Sequence, residues 1–406
     1  MKKILFIIIS LALVPVIHSQ TTDDALRYSQ LFYNGTSRFM SMGGAFTALG
    51  GDISTLSQNP AGLGLFRSSE VTLSPQMFNI HTNSLLNGQN TKDYIYNFNL
   101  GQGGVVLNLK NSSNSTGLLN LNIGYSFNRT NNLNQAVTIK GTSNNSSMTD
   151  YWTDISDGYF KNQLGKNVPE AFLAWDTWLI DTLSGSDINY GTVYSNYGDN
   201  PPSVYGQKIT RHFETEGYTG EHAFSIGGNY ADKIIFGATL GISRLSYSSN
   251  YSHQESTNET LSSKFSNFNY TFHYDNTGVG YGLKLGAIIK PIDIVRIGVT
   301  FHSPTVYKID EYLFDNMTSA FTDGGKYTSS NKPARYTYKL TTPFRALLGA
   351  AIQINKIALI SADYEFVDYS TARFSDAGDD YDYSNKNEQI KNSLQSTANL
   401  RLGGEV

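Results

Sequence analysis

The stretch Leu119-Asn-Leu-Asn-Ile-Gly-Tyr-Ser-Phe127 sets five apolar residues in unbroken alternation with Asn, Asn, Gly and Ser. Strand side chains repeat with a period of two, so Leu119, Leu121, Ile123, Tyr125 and Phe127 share one face and the polar partners the other. Such a strand suits a wall with lipid on one side and a wet lumen on the other. A soluble sandwich alternates too, so the number, spacing and connections of the strands must decide.

The pattern recurs over 70–80, 94–109, 118–128, 222–230, 234–247, 268–289, 294–302, 336–354, 357–367 and 397–406. Val295, Ile297, Val299 and Phe301 alternate with Arg296, Gly298, Thr300 and His302, and Leu348 and its apolar neighbours alternate with Arg345, Gly349 and Gln353. A cation facing mid-bilayer lipid costs roughly 2–4 kcal/mol, so Arg296, His302 and Arg345 are expected to point into a watery lumen. Tight turns at Asp232-Lys233, 290–293 and Asn355-Lys356 alternate with long polar connections over 129–221, 248–267, 303–335 and 368–396. That asymmetry belongs to outer-membrane barrels, with the short turns periplasmic and the long loops extracellular. The expected fold is all-β: a transmembrane antiparallel β-barrel over 69–406.

Composition agrees. Tyr (27) and Phe (22) are abundant while charged residues make up only 16%, as in barrels that place aromatics at both membrane interfaces. A net charge of −4 without any Lys/Arg block gives no support to nucleic-acid binding. No cysteine is present, which excludes disulfides and thiolate metal sites. Lys2 and Lys3 precede an apolar stretch over 4–14, broken by Pro15. At about eleven residues it is too short to span a bilayer, so 1–20 reads as a secretory signal peptide. Export without a spanning helix points to the outer membrane of a Gram-negative bacterium.

Residues 21–68 do not alternate. A short helix is expected to start near Asp23, and Gly43, Gly44, Gly50 and Gly51 break the stretch after it. Asn59-Pro60 has the form of an N-cap followed by proline at the first position of a tight turn. The segment is expected to be a compact plug. The longest connection, 129–221, holds all three tryptophans, and 169–181 is expected to be helical with Phe172, Trp175 and Leu179 in helical spacing. Together with Trp178, those residues either pack a helix onto the rim or form an apolar groove that captures greasy ligands.

The run Met40-Ser-Met-Gly-Gly-Ala-Phe-Thr-Ala-Leu49, followed by Asn59, Pro60 and Ala61, resembles the start of the FadL/TodX family of outer-membrane transport proteins, which includes Bacteroidetes members. The resemblance is sharp over about 35–70 and architectural beyond. It implies a fourteen-stranded barrel with an N-terminal hatch inside. It further implies uptake of hydrophobic small molecules, foremost long-chain fatty acids and also aromatic hydrocarbons. Capture would occur in the extracellular loops, with sideways release through a gap in the wall. A ladder break is needed for that. The apolar phase Tyr94, Tyr96, Phe98, Leu100 slips to Val105, Leu107, Leu109 across Gly101, Gly103 and Gly104. The slip is either a structural bulge or the lateral gate. The family's kink lies on the third strand, one later than this break. Only about ten strands are visible and the chain stops at Val406 inside an alternating segment, so truncation by several strands is expected. A non-transport barrel, a scaffold or shuttle in type IX protein secretion, is the alternative.

Other chemistry has little footing. His81, His212, His222, His253, His273 and His302 show neither haem-ligand spacing nor a nucleophile partner, so no cofactor, metal or catalytic residue is expected. Asp376, Asp379, Asp380 and Asp382 lack the glycine and terminal glutamate of a calcium loop, and Gly278, Gly280 and Gly282 lack the helix of a nucleotide fingerprint. The expected partners are hydrophobic small molecules and membrane lipid, with the protein a monomer.

Overall fold

The computed structural model describes residues 20–111, 116–198, 205–257, 263–354, 357–378 and 380–406. The signal peptide therefore falls outside the described residues except for Gln20, as do the turn residues Asn355 and Lys356 and the loop residue Asp379.

Among the described residues seventeen strands are present. They are β1 (Glu70–Leu86), β2 (Gln89–Asn111), β3 (Leu118–Asn132), β4 (Gln135–Ser143), β5 (Ile180–Thr182), β6 (Tyr190–Thr192), β7 (Gln207–Tyr230), β8 (Ile234–Ser256) and β9 (Phe265–Ile292). Then come β10 (Val295–His302), β11 (Val306–Phe321), β12 (Lys326–Ser330), β13 (Ala334–Thr341), β14 (Arg345–Ile354), β15 (Ala358–Asp368), β16 (Arg373–Asp376) and β17 (Ser396–Glu405). A single large sheet runs β1-β2-β3-β7-β8-β9-β10-β14-β15-β17, and the ladders along this path are antiparallel. Several staves are two strands end to end: β3 and β4 both pair with β7, and β10 and β11 both pair with β9. Among the described residues no ladder joins β1 to β17.

The ten staves on this path match the ten read from alternation, but the connections do not. Much of what reads as loop is strand. The connection expected over 129–221 begins only after β4 and ends at Gln207, and 303–335 is largely the β11–β12 hairpin. Likewise 336–354 is two strands, β13 and β14, separated at 342–344. The reason lies in the side chains. Toward the long-loop end both faces carry Ser, Asn, Tyr and His, as in Ser246-Tyr-Ser-Ser-Asn-Tyr-Ser-His253, so the ladder continues where the apolar alternation stops. The β1–β2 turn is Asn87-Gly88, both residues with positive φ (46° and 86°). Asn-Gly between strands is a strong hairpin signal, and it extends this hairpin beyond the expected ends at residues 80 and 94.

Toward the other end, alternation is sharp. Ile297 (43%) and Leu348 (56%) are exposed on the outer face, whereas His302 and Arg345 are buried on the inner one. Against that inner face lies the N-terminal segment: α1 (Thr22–Ser29), α2 (Ser37–Ser41), α3 (Thr55–Gln58) and a 3-10 turn, Pro60–Leu65. Thr21 caps α1 in a reciprocal box with Asp24. Phe39, Phe46, Leu56 and Leu63 of this segment are fully buried.

A row of glycines receives it. Gly227, Gly237 and Gly286 stand in register across β7, β8 and β9, and Gly298 faces Gly349 across β10 and β14. A Cβ on Gly237 would overlap the Pro60 carbonyl, one on Gly286 the Asn59 side chain, one on Gly298 the Thr47 carbonyl and one on Gly403 the Met42 carbonyl. A segment this short reaches strands from β2 to β17 only because the sheet curls around it.

Between β4 and β7, an insertion carries α4 (Met148–Ser156), α5 (Lys161–Asn167), α6 (Pro169–Asp176) and the small β5–β6 hairpin. It buries Trp152, Leu173 and Leu179 against Phe265, Phe268, Tyr270 and Met317 of the sheet. A last helix, α7 (Ser384–Ser393), packs Ile390 into a cluster with Tyr28, Tyr338 and Phe374.

Candidate functional site

The inward Arg, Lys and His side chains are tied to protein rather than standing free. They hold the N-terminal segment by its carbonyls. Arg296 Nη1 donates to Leu49 O (2.8 Å), His302 Nε2 to Gln58 O (2.7 Å), Arg345 Nη2 to Ser29 O (2.6 Å) and Lys284 Nζ to Ser57 O (2.7 Å). Wall carboxylates take the matching donors: Asp363 accepts from Thr47 N–H (2.9 Å) and Glu221 from Ser57 Oγ (2.6 Å) and Lys284 (2.6 Å). Glu365 is fully buried between Arg345 (2.5 Å) and Arg401. A buried ion pair adds little net stability, but removing one partner strands the other, so these groups fix position. The sequence marked Arg296, His302 and Arg345 correctly as inward; their role as donors to backbone carbonyls leaves no one-strand signature.

Asn59, Pro60 and Ala61 sit at the centre of this contact. Asn59 Oδ1 accepts the Ala61 N–H (3.1 Å), the capping geometry expected of Asn-Pro at a turn start, while its Nδ2 donates to Thr47 O (2.6 Å). One buried side chain thus staples two parts of the segment together against Gly286.

Gly101 is a bulge. β1 and β2 stay paired along their length, but the register skips between Ser74 and Pro75, which face Gln102 and Leu100. Accordingly Tyr94, Tyr96, Phe98 and Leu100 are exposed before the bulge and Leu107 and Leu109 after it. Gly103 and Gly104 lie in regular ladder with both neighbours, and a Cβ on Gly104 would crowd β3 and Ile53 of the N-terminal segment. The larger break is between β2 and β3. Their ladder begins only at Gln102 opposite Asn128, and residues 89–101 have no partner there. β3 has its own irregularity against β7 at 129–131.

The N-terminal segment occupies that parting. Phe32 N–H donates to Thr130 O (2.7 Å), Asn34 Nδ2 to Arg129 O (3.0 Å) and Gln76 Nε2 to Asn34 Oδ1 (3.3 Å). Behind it, a cavity of about 250 Å³ lies between Ile80 of β1, residues 132–135, Arg27 and Tyr247. Phe32 and Asn34 carry no sequence signal for this position, since an irregular chain lending one donor to a strand has no periodicity.

At the long-loop end, a cavity of about 610 Å³ opens between the insertion and β9, β11 and β13. The sequence-derived capture residues are not its walls. Leu179 is fully buried in the core, Phe172 and Trp175 pack against that core, and Trp178 lies outside it at 49% exposure with a positive φ (59°). α6 stops at Asp176, short of the helix expected to 181, because Trp178 adopts the left-handed conformation there. The cavity is lined instead from the start of α6, by Val168, Pro169 and Glu170, with Tyr270, Phe272 and Asp315 opposite. Burial pushes the Glu170 carboxyl up, opposed by the Trp152 Nε1–H donated to it (2.8 Å). Burial raises Asp315 too, opposed by Asn331 (3.0 Å).

Gly278, Gly280 and Gly282 lie in mid-strand on β9. Asp376 and Asp382 accept from the nearby Gly378 and Ser384 N–H groups.

Comparison with known proteins gives structural likeness only. The chain is similar to the Ralstonia pickettii toluene transporter TbuX (14% identity, TM-score 0.43, 92% of this chain and 82% of that one). It is also similar to the Pseudomonas putida toluene transporter TodX (13%, 0.45, 86% and 75%) and to the CymD monoaromatic hydrocarbon channel (12%, 0.42, 91% and 76%). No family model and no curated protein matches the sequence.

Proposed function

We propose that this protein takes up hydrophobic small molecules, long-chain fatty acids or aromatic hydrocarbons, across the outer membrane and releases them sideways between β2 and β3. The observation that carries the reading is the missing β2–β3 ladder above Gln102, where Phe32 and Asn34 bond to the β3 backbone and, farther along, Thr82, Ser84 and Asp93 bridge the β1–β2 hairpin to β4 through side chains alone. Backbone groups left unpaired toward lipid cost several kcal/mol each, so a stretch of wall without a ladder needs such shelter. With the glycine row and the polar clamps holding the segment, an aqueous path is obstructed, and a greasy cargo has less need of one. The gate in this reading is the β2–β3 parting, with Gly101 as its hinge and Gly103 and Gly104 as fixed wall below it. The hatch is 21–68 with Asn59, Pro60 and Ala61 at its seat, and the motif over 40–61 supports membership of the FadL/TodX family.

The test uses a chain that has no cysteine of its own. Asn34→Cys with Gln76→Cys places two thiols where the wild-type side chains touch. Oxidation is expected to abolish uptake of a labelled fatty acid or toluene in cells, and reduction to restore it. Uptake at the parental rate in the fully cross-linked protein refutes a gate at this position.

A further inference from the structure

The cavity beside α6 has a chemical preference of its own. Its walls combine four aromatic rings, Tyr151, Tyr270, Phe272 and Tyr336, with two carboxylates, Glu170 and Asp315. Two of the rings are packed by neighbours: Tyr270 edge-on against Trp152 (5.7 Å between centroids) and Tyr251 (6.1 Å), and Phe272 stacked on Tyr274 (6.2 Å). Each carboxylate is held by a neutral donor, Glu170 by the Trp152 indole and Asp315 by the Asn331 amide, so neither has its charge cancelled by that partner. One cation, Lys332, is among the lining residues, and it is exposed. At about 610 Å³ the space is of ligand size.

Resting on the uptake reading above, we infer that this cavity selects hydrophobic molecules bearing a protonated amine, and disfavours those bearing a carboxylate. Aromatic faces attract a cation through the ring quadrupole, and this gain is larger where water is excluded. Two carboxylates in a partly desolvated site add attraction for an ammonium head and repel an anionic one. The apolar tail lies along the rings in either case, so the head group decides between cargoes of equal length. Free fatty acids are then the poorer ligands of this entrance, and alkyl or arylalkyl amines the better ones.

Binding of octylamine, octanol and octanoate to the full chain in nanodiscs of zwitterionic lipid tests this, with empty nanodiscs subtracted and the tryptophan fluorescence followed. All three tryptophans lie in the insertion, so the signal reports on this region. Octylamine is expected to bind at least tenfold more tightly than octanoate, with octanol between them. In the isosteric Glu170→Gln/Asp315→Asn variant the amine-to-octanoate ratio should fall toward unity while octanol binding stays within about twofold. Octanoate binding as tightly as octylamine, or a preference unchanged in the double variant, overturns the inference and leaves capture standing through octanol. Saturable binding of none of the three overturns capture at this cavity and the inference with it. A double variant that loses octanol as well has lost its shape, and Glu170→Gln alone is then required to reduce the ratio at least threefold or the inference falls.

Discussion

Replacing Asn59 with Ala removes two hydrogen bonds made by one fully buried side chain. Loss of the cap to the Ala61 N–H should cost about 1 kcal/mol. Loss of the donor to Thr47 O leaves a buried carbonyl without that partner, which adds about 1–3 kcal/mol. The site cannot easily collapse, because the wall behind it is the Gly286 backbone and offers no side chain to move inward. The combined loss, about 2–4 kcal/mol, corresponds to roughly a thirtyfold to thousandfold rise in local opening at 1.4 kcal/mol per decade. Amide exchange by mass spectrometry, in the same nanodiscs for parent and variant, reads that opening directly. Peptides over 44–66 should exchange faster, while peptides from β7, β8 and β9 change little. Exchange over 44–66 within threefold of the parent would show that Asn59 does not staple the segment.

Further outcomes follow from the same contacts. Gly298→Ala, whose Cβ would overlap the Thr47 carbonyl, should displace the segment or impair assembly by about 1–3 kcal/mol, read as a lowered unfolding temperature. Gly324→Ala, at a turn with open space around it, serves as its surface control for crowding, with only turn strain expected. Glu255 is fully buried and accepts from Ser147 Oγ (2.7 Å), Met148 N–H (2.8 Å) and Tyr194 OH (3.2 Å). Glu255→Ala should therefore loosen the insertion, seen as faster proteolysis within 144–198 while the sheet stays resistant. The Glu170 carboxyl is raised above its ordinary value of 4.5 by burial, so the folded insertion binds that proton more tightly than the unfolded chain. Its contribution is fully present below pH 4.5 and is lost as pH rises through the higher native value. Tryptophan-monitored urea midpoints should fall across that window in the parent and flatten in Glu170→Gln; an unchanged pH slope in the variant assigns the effect elsewhere.

What the sequence disclosed follows from where one face meets apolar surroundings. Around Leu121, Ile297 and Leu348 the period of two is unmistakable, and the staves, their order of appearance and the inward Arg296, His302 and Arg345 could be read. Beyond the apolar band both faces are polar or aromatic, so β4, β11 and the outer parts of β7 and β8 were read as loops. The Asn87-Gly88 turn was missed, although its turn chemistry alone marks a hairpin. The phase slip across Gly101 identified a bulge one strand away from the larger break, because a parting between strands depends on a partner's absence and no single strand encodes that. The tryptophan-bearing insertion drew attention to the right region. Trp152 and Leu179, however, went to the core and Trp178 to the surface, and the cavity fell to Glu170 of the insertion and Asp315 of β11.

The lumen clamps also constrain how the molecule comes together. Arg296, Lys284, His302 and Arg345 find their acceptors on the carbonyls of a chain that precedes every strand. A cylinder closing first would trap those donors without partners, and would then have to admit folded helices through its mouth. The expected assembly uses the N-terminal segment as a mandrel about which the strands wind, most of them setting a glycine or a charged group against it. Sequence changes in the segment should show up as assembly defects of the wall, whose inner face is shaped to residues 21–68.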